Sequence, residues 1–355
     1  MSLWVFTAQP RVRALSRLQI VQKHLMSTNA NLEKEVHLVK SGCAGIIILN
    51  RPKTLNSLNL SMIRQIYPKL KEWEQDNETS LVLIKGAGEK AFCAGGDIRG
   101  NCRIPYVALI DGITMGGGVG LSVHGHFRVA TEKTLFAMPE TGIGLFPDVG
   151  GGFFLPRLKG KLGLYLALTG FRIKGRDVHQ AGIATHFVTS EKIPDLERDL
   201  VSLKSPSKED VAELLNSYHF KCKSDDKFVL AEHMDKINRL FKTNSVEEIL
   251  QNLKQDASPF ALQLLETLKK MSPTSMKITF QQLEEGATKN LSEVLVMEYR
   301  LSQACMRGHD FYEGVRAVLV DKDQSPKWKP ATLEEVTEEY LTSCFKPLGN
   351  KELKL

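Results

Sequence analysis

The amino-acid sequence predicts an α/β fold that continues into a helical C-terminal region. Unbroken apolar runs rich in Ile and Val, each bounded by Gly, Pro or Asn, lie at 44–49, 81–85 and 106–110. Such runs are typical of strands that are buried on both faces of a sheet. Between the first two runs, residues 57–73 repeat apolar side chains every three or four positions, which predicts an amphipathic helix that Pro68 kinks.

Helical periodicity dominates after about Lys161. It predicts helices over 210–216, 246–253, 260–271 and 291–305. The polar stretches 205–207 and 222–227 are typical of linkers, and the tail from Ser325, rich in Pro, Lys and Glu, is expected on the surface. We therefore expect a presequence, an α/β core and a helical region that completes the fold, over 1–32, 33–204 and 205–355.

The first 32 residues are basic and free of acidic side chains. They contain Arg11, Arg13, Arg17 and Lys23, and the first acidic residue is Glu33. A segment of this kind that mixes Leu, Val and Ile with Ser and Thr is typical of a mitochondrial presequence. No unbroken apolar core of a secretory signal is present, and no run reaches the roughly 18 apolar residues of a membrane span. The sequence therefore predicts a protein of the mitochondrial matrix with no membrane partner.

The composition is that of a globular protein. Its 355 residues, 42% hydrophobic and 25% charged, are enough for one large core or two modest domains. The net charge of +6 is modest and does not indicate a nucleic-acid partner. The six cysteines form no CxxC pair and the nine histidines no HExxH motif, so neither a disulfide framework nor a metal site is predicted. His124 and His126, two positions apart, are interpreted as structural.

Three segments combine glycine runs with reactive side chains: 91–97 (AFCAGGD), 112–120 (GITMGGGVG) and 138–152 (MPETGIGLFPDVGGG). Glycine runs occur where the backbone must approach a ligand closely. A phosphate loop would need GxxxxGK followed by Ser or Thr, and a dinucleotide site would need GxGxxG; neither pattern is completed here. We therefore interpret the runs as backbone N–H groups directed at a ligand atom.

The second and third segments carry the candidate chemistry. Gly117 falls where a predicted strand ends and a helix begins, so its N–H group suits an oxyanion. Glu140 follows the apolar run 135–138, and Asp148 comes shortly after it. Apolar surroundings would raise the pKa of a carboxyl group and make it a stronger base. The alternative is that both acids are solvated loop residues, and the local pattern leaves it open.

Together these segments resemble the enoyl-CoA hydratase (crotonase) superfamily, and within it a branch of acyl-CoA hydrolases. Further segments extend the resemblance over almost everything after residue 32: 49–58, 168–177, 271–277, 298–303 and 310–328. The resemblance implies a spiral of βα and ββα repeats, with an oxyanion hole formed by the N–H groups of Gly96 and Gly117. It implies that Glu140 is the catalytic base or nucleophile and that Asp148 is the second acid of the hydrolase branch.

The resemblance also implies the ligand. An acyl-coenzyme A would be the substrate, so coenzyme A is part of the substrate and no separate cofactor is expected. In the superfamily the coenzyme is bound near the segment that corresponds to 53–58, where Lys53 is either a phosphate ligand or a solvated surface residue. A homo-oligomer remains open. The hydrolase branch implies thioester hydrolysis in valine breakdown.

Three alternative functions remain at this point. Hydratases of the superfamily carry a further glutamate where this chain has Val119 and Gly120, which disfavours a hydratase or isomerase. The segment 120–124 approaches the GxSxG motif of serine hydrolases, but Ser122 falls inside the predicted helix. A protein that binds coenzyme A without turnover is the third alternative.

That third alternative arises from the spacing of the glycine segments. Asp97 and Gly112 are 15 positions apart. Members of the superfamily place roughly forty residues there, most of them in a helix that walls the acyl pocket, and a parallel crossover normally takes at least about ten to twelve residues. The seven residues 98–104 are too few. We infer that about 25 to 30 residues are missing after Arg99, and that the glycine segments cannot both reach their usual positions without strain.

Overall fold

Two sheets form the α/β part of the computed structural model, which describes residues 34–94, 103–222 and 226–355. The larger sheet has the strand order β1-β2-β3-β5-β7-β10. The strands β1 and β2 pair antiparallel, and the other neighbours pair parallel. Their bounds are β1 Val36–Ser41, β2 Ala44–Leu49, β3 Leu81–Gly86, β5 Tyr106–Ile110, β7 Phe127–Ala130 and β10 His186–Phe187.

The predicted strands β2, β3 and β5 are confirmed and are buried on both faces. Along β3, Val82 and Ile84 belong to one apolar core, whereas Leu81 and Leu83 belong to the core on the opposite face. This two-sided burial explains why the apolar runs in the sequence are continuous rather than alternating.

The smaller sheet has the order β4-β6-β8-β9. Its strands are β4 Ala91–Ala94, β6 Ile113–Met115, β8 Leu135–Ala137 and β9 Ile173–Lys174. The first three run parallel to one another, and each follows a strand of the larger sheet after a short connection. The chain thus repeats a strand of the larger sheet followed by a strand of the smaller sheet, within the α/β fold that the sequence predicts. Residues Val36–Leu355 form one compact unit.

The helices of the first part are α1 Leu60–Gln75, α2 Gly117–Val123, α3 Gly151–Phe154, α4 Leu162–Thr169, α5 Arg176–Gln180 and α6 Ile193–Ser202. The predicted helix over 57–73 therefore begins later, because the Asn59 side chain accepts a hydrogen bond from the N–H of Met62 and caps it. Pro68 lies inside α1.

The helical region contains α7 Lys208–Lys221, α8 Met234–Leu240, α9 Val246–Asp256, α10 Pro259–Leu268, α11 Pro273–Gly286, α12 Leu291–Arg307, α13 Asp310–Val315 and α14 Glu338–Phe345. The four predicted helices are present as α7, α9, α10 and α12, with bounds that differ by a few residues. No helix in the described ranges is long and apolar enough to cross a bilayer.

The expectation that the tail from Ser325 lies on the surface is wrong for part of it. Leu333, Val336, Leu341 and Cys344 are buried. Leu333 belongs to the main apolar core, and the last two pack with α12. These apolar residues are spaced widely among charged ones, so the composition of the tail conceals the side that it buries.

A cluster of three histidines, of which His186 is buried, lies outside the glycine segments. The rings of His179 and His219 are 4.7 Å apart, and those of His186 and His219 are 5.9 Å apart. Burial lowers the pKa of His186 to about 4, and the nearby His219 adds to the shift. The unfolded chain binds a proton at this residue below about pH 6.5, whereas the folded protein does so only near pH 4.

We expect the free energy of unfolding to fall as the pH is lowered from about 6.5 to 4, and to fall less in His186→Gln. The difference between the two slopes should integrate to at most about 3 kcal/mol, because only the wild-type residue takes up a proton on unfolding. Urea denaturation at several pH values measures both slopes. Equal slopes would contradict the assignment, whatever the stability of the variant at neutral pH.

Candidate active site

The carboxyl ends of three parallel strands bring the candidate residues to one edge of the smaller sheet. Ala94, the last residue of β4, lies opposite Met115, and Met115 lies opposite Ala137 of β8. In the sequence, β4 is followed by Gly96, β6 by Gly117 and β8 by Glu140. Gly96 and Asp97 themselves lie outside the described residues.

Gly117 is the first residue of α2, as the sequence predicts. The N–H groups of the first helical turn have no intrahelical acceptor, so this group can donate to a ligand. The next residue, Gly118, lies against β4 so closely that a Cβ atom would overlap the carbonyl oxygen of Cys93. The glycine run therefore allows α2 to begin directly beside the strand that enters the first segment.

Glu140 begins a 3-10 helix, Glu140–Ile143, just beyond β8. Its side chain is buried, with the residue 6% exposed, and its Oε2 atom has no hydrogen-bond partner. Burial raises the pKa of Glu140 well above its usual range, and the nearby Asp148 adds to the shift. The alternative of a solvated loop residue is therefore wrong for Glu140, and a buried, unpartnered carboxylate oxygen is typical of a functional site.

Residues of the helical region contact the 3-10 helix that begins with Glu140. The N–H of Ser272 donates to the carbonyl of Thr141 at 3.1 Å, and the Ser272 hydroxyl donates to Asp310 Oδ2 at 2.6 Å. Asp310 begins α13, which packs on the 3-10 helix. Neither role was predicted from the sequence, although both residues lie in segments that carry the family resemblance.

Asp148 is half-buried on a loop that continues into α3. Its negative charge contributes to the raised pKa of Glu140. Glu298 of α12 accepts hydrogen bonds from the backbone of this loop and was also missed. Burial raises the pKa of Glu298 to about 8, and the donated backbone hydrogen bonds act in the opposite direction.

The structure argues against the serine nucleophile. The Ser122 hydroxyl is buried and donates to the carbonyls of Gly118 and Val119 within α2, at 2.8 and 3.0 Å. It therefore faces its own helix. Val119 and Gly120 are buried in the same helix and supply no second carboxylate. Among the described residues, no three His, Cys, Asp or Glu side chains gather in a way that suits a metal ion.

The segment predicted to meet coenzyme A lies next to β4. The carbonyl of Leu55 accepts from the N–H of Ala94 at 3.0 Å, and the buried Asn56 amide donates to the carbonyls of Ala87 and Ala91 at 2.8 Å. Lys53 is exposed. The segment is thus attached to the strand that enters the first glycine segment.

Several curated proteins are similar to the whole chain. The chain is 63% identical to 3-hydroxyisobutyryl-CoA hydrolase, mitochondrial, of Gallus gallus over 385 residues. It is 64% identical to the protein of the same name from Xenopus laevis over 385 residues, and each alignment covers 100% of both chains. It is 64% identical to the Homo sapiens protein over 374 residues, which cover 97% of each chain.

The lengths of these alignments test the inference that a segment is missing after Arg99. An alignment of 385 residues that covers the whole chain is 30 residues longer than the chain's 355. The family model matches in two parts, 44–103 and 100–345, that meet at the predicted break. Both findings support the inference that about 25 to 30 residues are missing after Arg99. The expected strain between the glycine segments stays a prediction because Gly96 lies outside the described residues.

Solved structures share the fold. A carnitinyl-CoA dehydratase from Mycobacterium thermoresistibile superimposes with a TM-score of 0.83 at 35% identity, over 91% of this chain and 99% of that one. An enoyl-CoA hydratase from Rhodobacter sphaeroides gives 0.80 at 34% identity, over 91% and 100%. The matching family model is described as enoyl-CoA hydratase/isomerase. Since that match extends through both the α/β part and the helical region, the chain belongs to the enoyl-CoA hydratase/isomerase (crotonase) family.

Proposed function

We propose that this chain is an acyl-CoA thioester hydrolase of the mitochondrial matrix that converts 3-hydroxyisobutyryl-CoA to 3-hydroxyisobutyrate and coenzyme A in valine breakdown. The observation that carries the proposal is the buried Glu140 carboxylate with an unpartnered oxygen, whose raised pKa the charge of Asp148 supports. The names of relatives at 61–64% identity support the substrate and the compartment. The smaller 3-hydroxypropionyl-CoA would be a second substrate.

In this mechanism the thioester carbonyl accepts hydrogen bonds from the N–H groups of Gly96 and Gly117. Attack on the carbonyl carbon moves charge onto its oxygen, and these donors stabilise the oxyanion. Glu140 either attacks to form a mixed anhydride, which water then hydrolyses, or removes a proton from an attacking water. In both routes the C–S bond breaks and coenzyme A leaves as the thiolate, which takes up the proton that the reacting water gives up. Asp148 orients this water or binds the substrate hydroxyl.

Coenzyme A would be part of the substrate, so the proposed reaction needs no separate cofactor. Its phosphates would meet the segment 53–58, with Lys53 as the candidate cation. The basic segment 1–32 would direct import. Association into a homo-oligomer is compatible with this assignment.

A hydratase or isomerase is the second candidate, because solved structures at 34–35% identity carry such names. Addition of water to an alkene needs two acid–base groups, and the buried Val119 and Gly120 do not supply the second. The two activities differ in their products. Release of a free thiol from 3-hydroxyisobutyryl-CoA supports the hydrolase, whereas loss of enoyl absorbance without thiol release supports the hydratase.

We expect this chain to hydrolyse 3-hydroxyisobutyryl-CoA with a kcat/KM roughly 100-fold below that of the Gallus gallus relative, because the missing segment would help to position the acyl group. Insertion of that relative's additional residues after Arg99 should restore most of the rate. An inserted Gly/Ser segment of equal length is the matched control. Full activity of the unmodified chain would contradict the expected impairment, and no thiol release from the restored chain would contradict the hydrolase.

In the restored chain, Glu140→Gln should lower kcat by at least about 1,000-fold while the protein stays folded, because the amide keeps the shape but cannot act as base or nucleophile. The rate of the restored chain with Glu140 intact should rise with pH through the raised pKa of Glu140, since the carboxylate must be ionised. Thiol release and circular dichroism measure the two effects. Glu284→Gln, which changes an exposed ion pair with Lys161, is the control. Near-normal activity of the Glu140→Gln variant would show that Glu140 takes no part in the chemistry.

Asp148→Asn should cost less, about 10- to 100-fold in kcat/KM, if Asp148 orients groups rather than reacting. The change also removes a negative charge that raises the pKa of Glu140, so the acid limb of the pH–rate profile should move to lower pH. Profiles of kcat/KM against pH test both effects. A loss as large as that of Glu140→Gln would mean that Asp148 shares the chemistry.

A further inference from the structure

We propose that Glu298 is a positioning residue for Asp148: its side chain, together with the Gln282 amide, fixes the loop 147–152 and with it the position of Asp148. The inference rests on the proposed function, because it assigns a purpose to the position of Asp148. Glu298 would not touch the substrate and would act only through the loop.

Both carboxyl oxygens of Glu298 accept hydrogen bonds. It is 3% exposed on α12, and its Oε2 atom accepts from the N–H of Gly150 at 2.8 Å. Its Oε1 atom accepts from the N–H of Gly152 at 2.9 Å and from Gln282 Nε2 at 3.0 Å. Three donors converge on these two oxygens, so they stabilise the ionised form and oppose the rise in pKa that burial produces.

The loop needs such support because its backbone is strained. Val149 has a φ of +55°, a left-handed conformation that β-branched residues avoid, and Gly150 follows with a φ of +84°. Contacts from α11, from α12 and from the residue that follows α2 hold this turn. Gln282 of α11 donates to the carbonyl of Pro147 at 2.7 Å, and His124, just after α2, donates through Nε2 to the carbonyl of Val149 at 2.8 Å.

These contacts lie on both sides of Asp148 along the chain. The carbonyl of Pro147 is held before it, and the carbonyl of Val149 and the N–H of Gly150 are held after it. The position of Asp148 is therefore set by side chains that lie outside its own loop. Strain that is retained only because the surroundings enforce it is typical of functional sites.

Glu298→Gln is the decisive variant. The amide keeps the size of the side chain, but its NH₂ group must face a backbone N–H, so one of the two loop contacts is lost. We expect faster hydrogen exchange at 147–154 in the unmodified chain, which is a readout that does not require activity. In the segment-restored chain we expect a loss of about 10-fold in kcat/KM and a shift of the acid limb to lower pH, as in Asp148→Asn.

A double-mutant cycle separates positioning from general stability. If Glu298 acts through Asp148, adding Glu298→Gln to Asp148→Asn should lower kcat/KM by less than about threefold further. Glu298→Asp, which keeps the charge, should retain the fold and show a smaller effect, and it replaces the amide variant if that variant does not fold. Glu266→Gln, which changes an exposed ion pair on α10, should match the wild type in every measurement.

The inference is overturned by unchanged exchange at 147–154, or by losses from Glu298→Gln and Asp148→Asn that multiply in full. These outcomes differ from failure of the proposed function. If Glu140→Gln and Asp148→Asn both leave thiol release intact, the assigned chemistry is wrong, while the exchange measurement still reports on the loop.

Discussion

The parallel pairing of β4, β6 and β8 is the constraint on which the site depends. These strands have only three or four residues each, so few ladder hydrogen bonds set their register. The absence of a Cβ atom at Gly118 lets α2 lie directly against the carbonyl of Cys93, which fixes the helix to β4. A side chain there would separate the helix that carries the Gly117 N–H from the strand that leads to Gly96.

The helical region contributes contacts to the candidate site. Ser272 and Asp310 support the turn that begins with Glu140, and Gln282 and Glu298 hold the loop that carries Asp148. The two candidate carboxylates thus come from the α/β part, while most of the groups that hold their loops lie more than a hundred residues later in the chain. This division explains why the family resemblance extends so far along the chain.

The sequence predicted the elements whose signal is local. Continuous apolar runs identified β2, β3 and β5, whereas the apolar run before Glu140 left open whether that acid is buried or solvated. Strands such as β9, with two residues, have no periodicity to detect, because tertiary packing defines them. Glu298 was missed because a single acid in a helix is usually exposed. The detectable signal was its spacing: it lies four residues after Val294 and three before Leu301, on the buried face of α12.

The connection between β4 and β5 is short, and we expect its length to matter for the acyl pocket more than for the positions of the candidate catalytic residues. The chain must return from Ala94, beside the end of β6, to Tyr106 at the start of β5, a distance of up to about 30 Å along ten residues of strand. The eleven intervening residues can reach about 36 Å when extended, but would cover only about 16 Å as a helix. An extended connection of this length can rejoin the sheet, whereas a helix of the same length would be too short. The ends of β4, β6 and β8 therefore pair without the missing residues, and we expect the effect of their loss to fall on the acyl pocket.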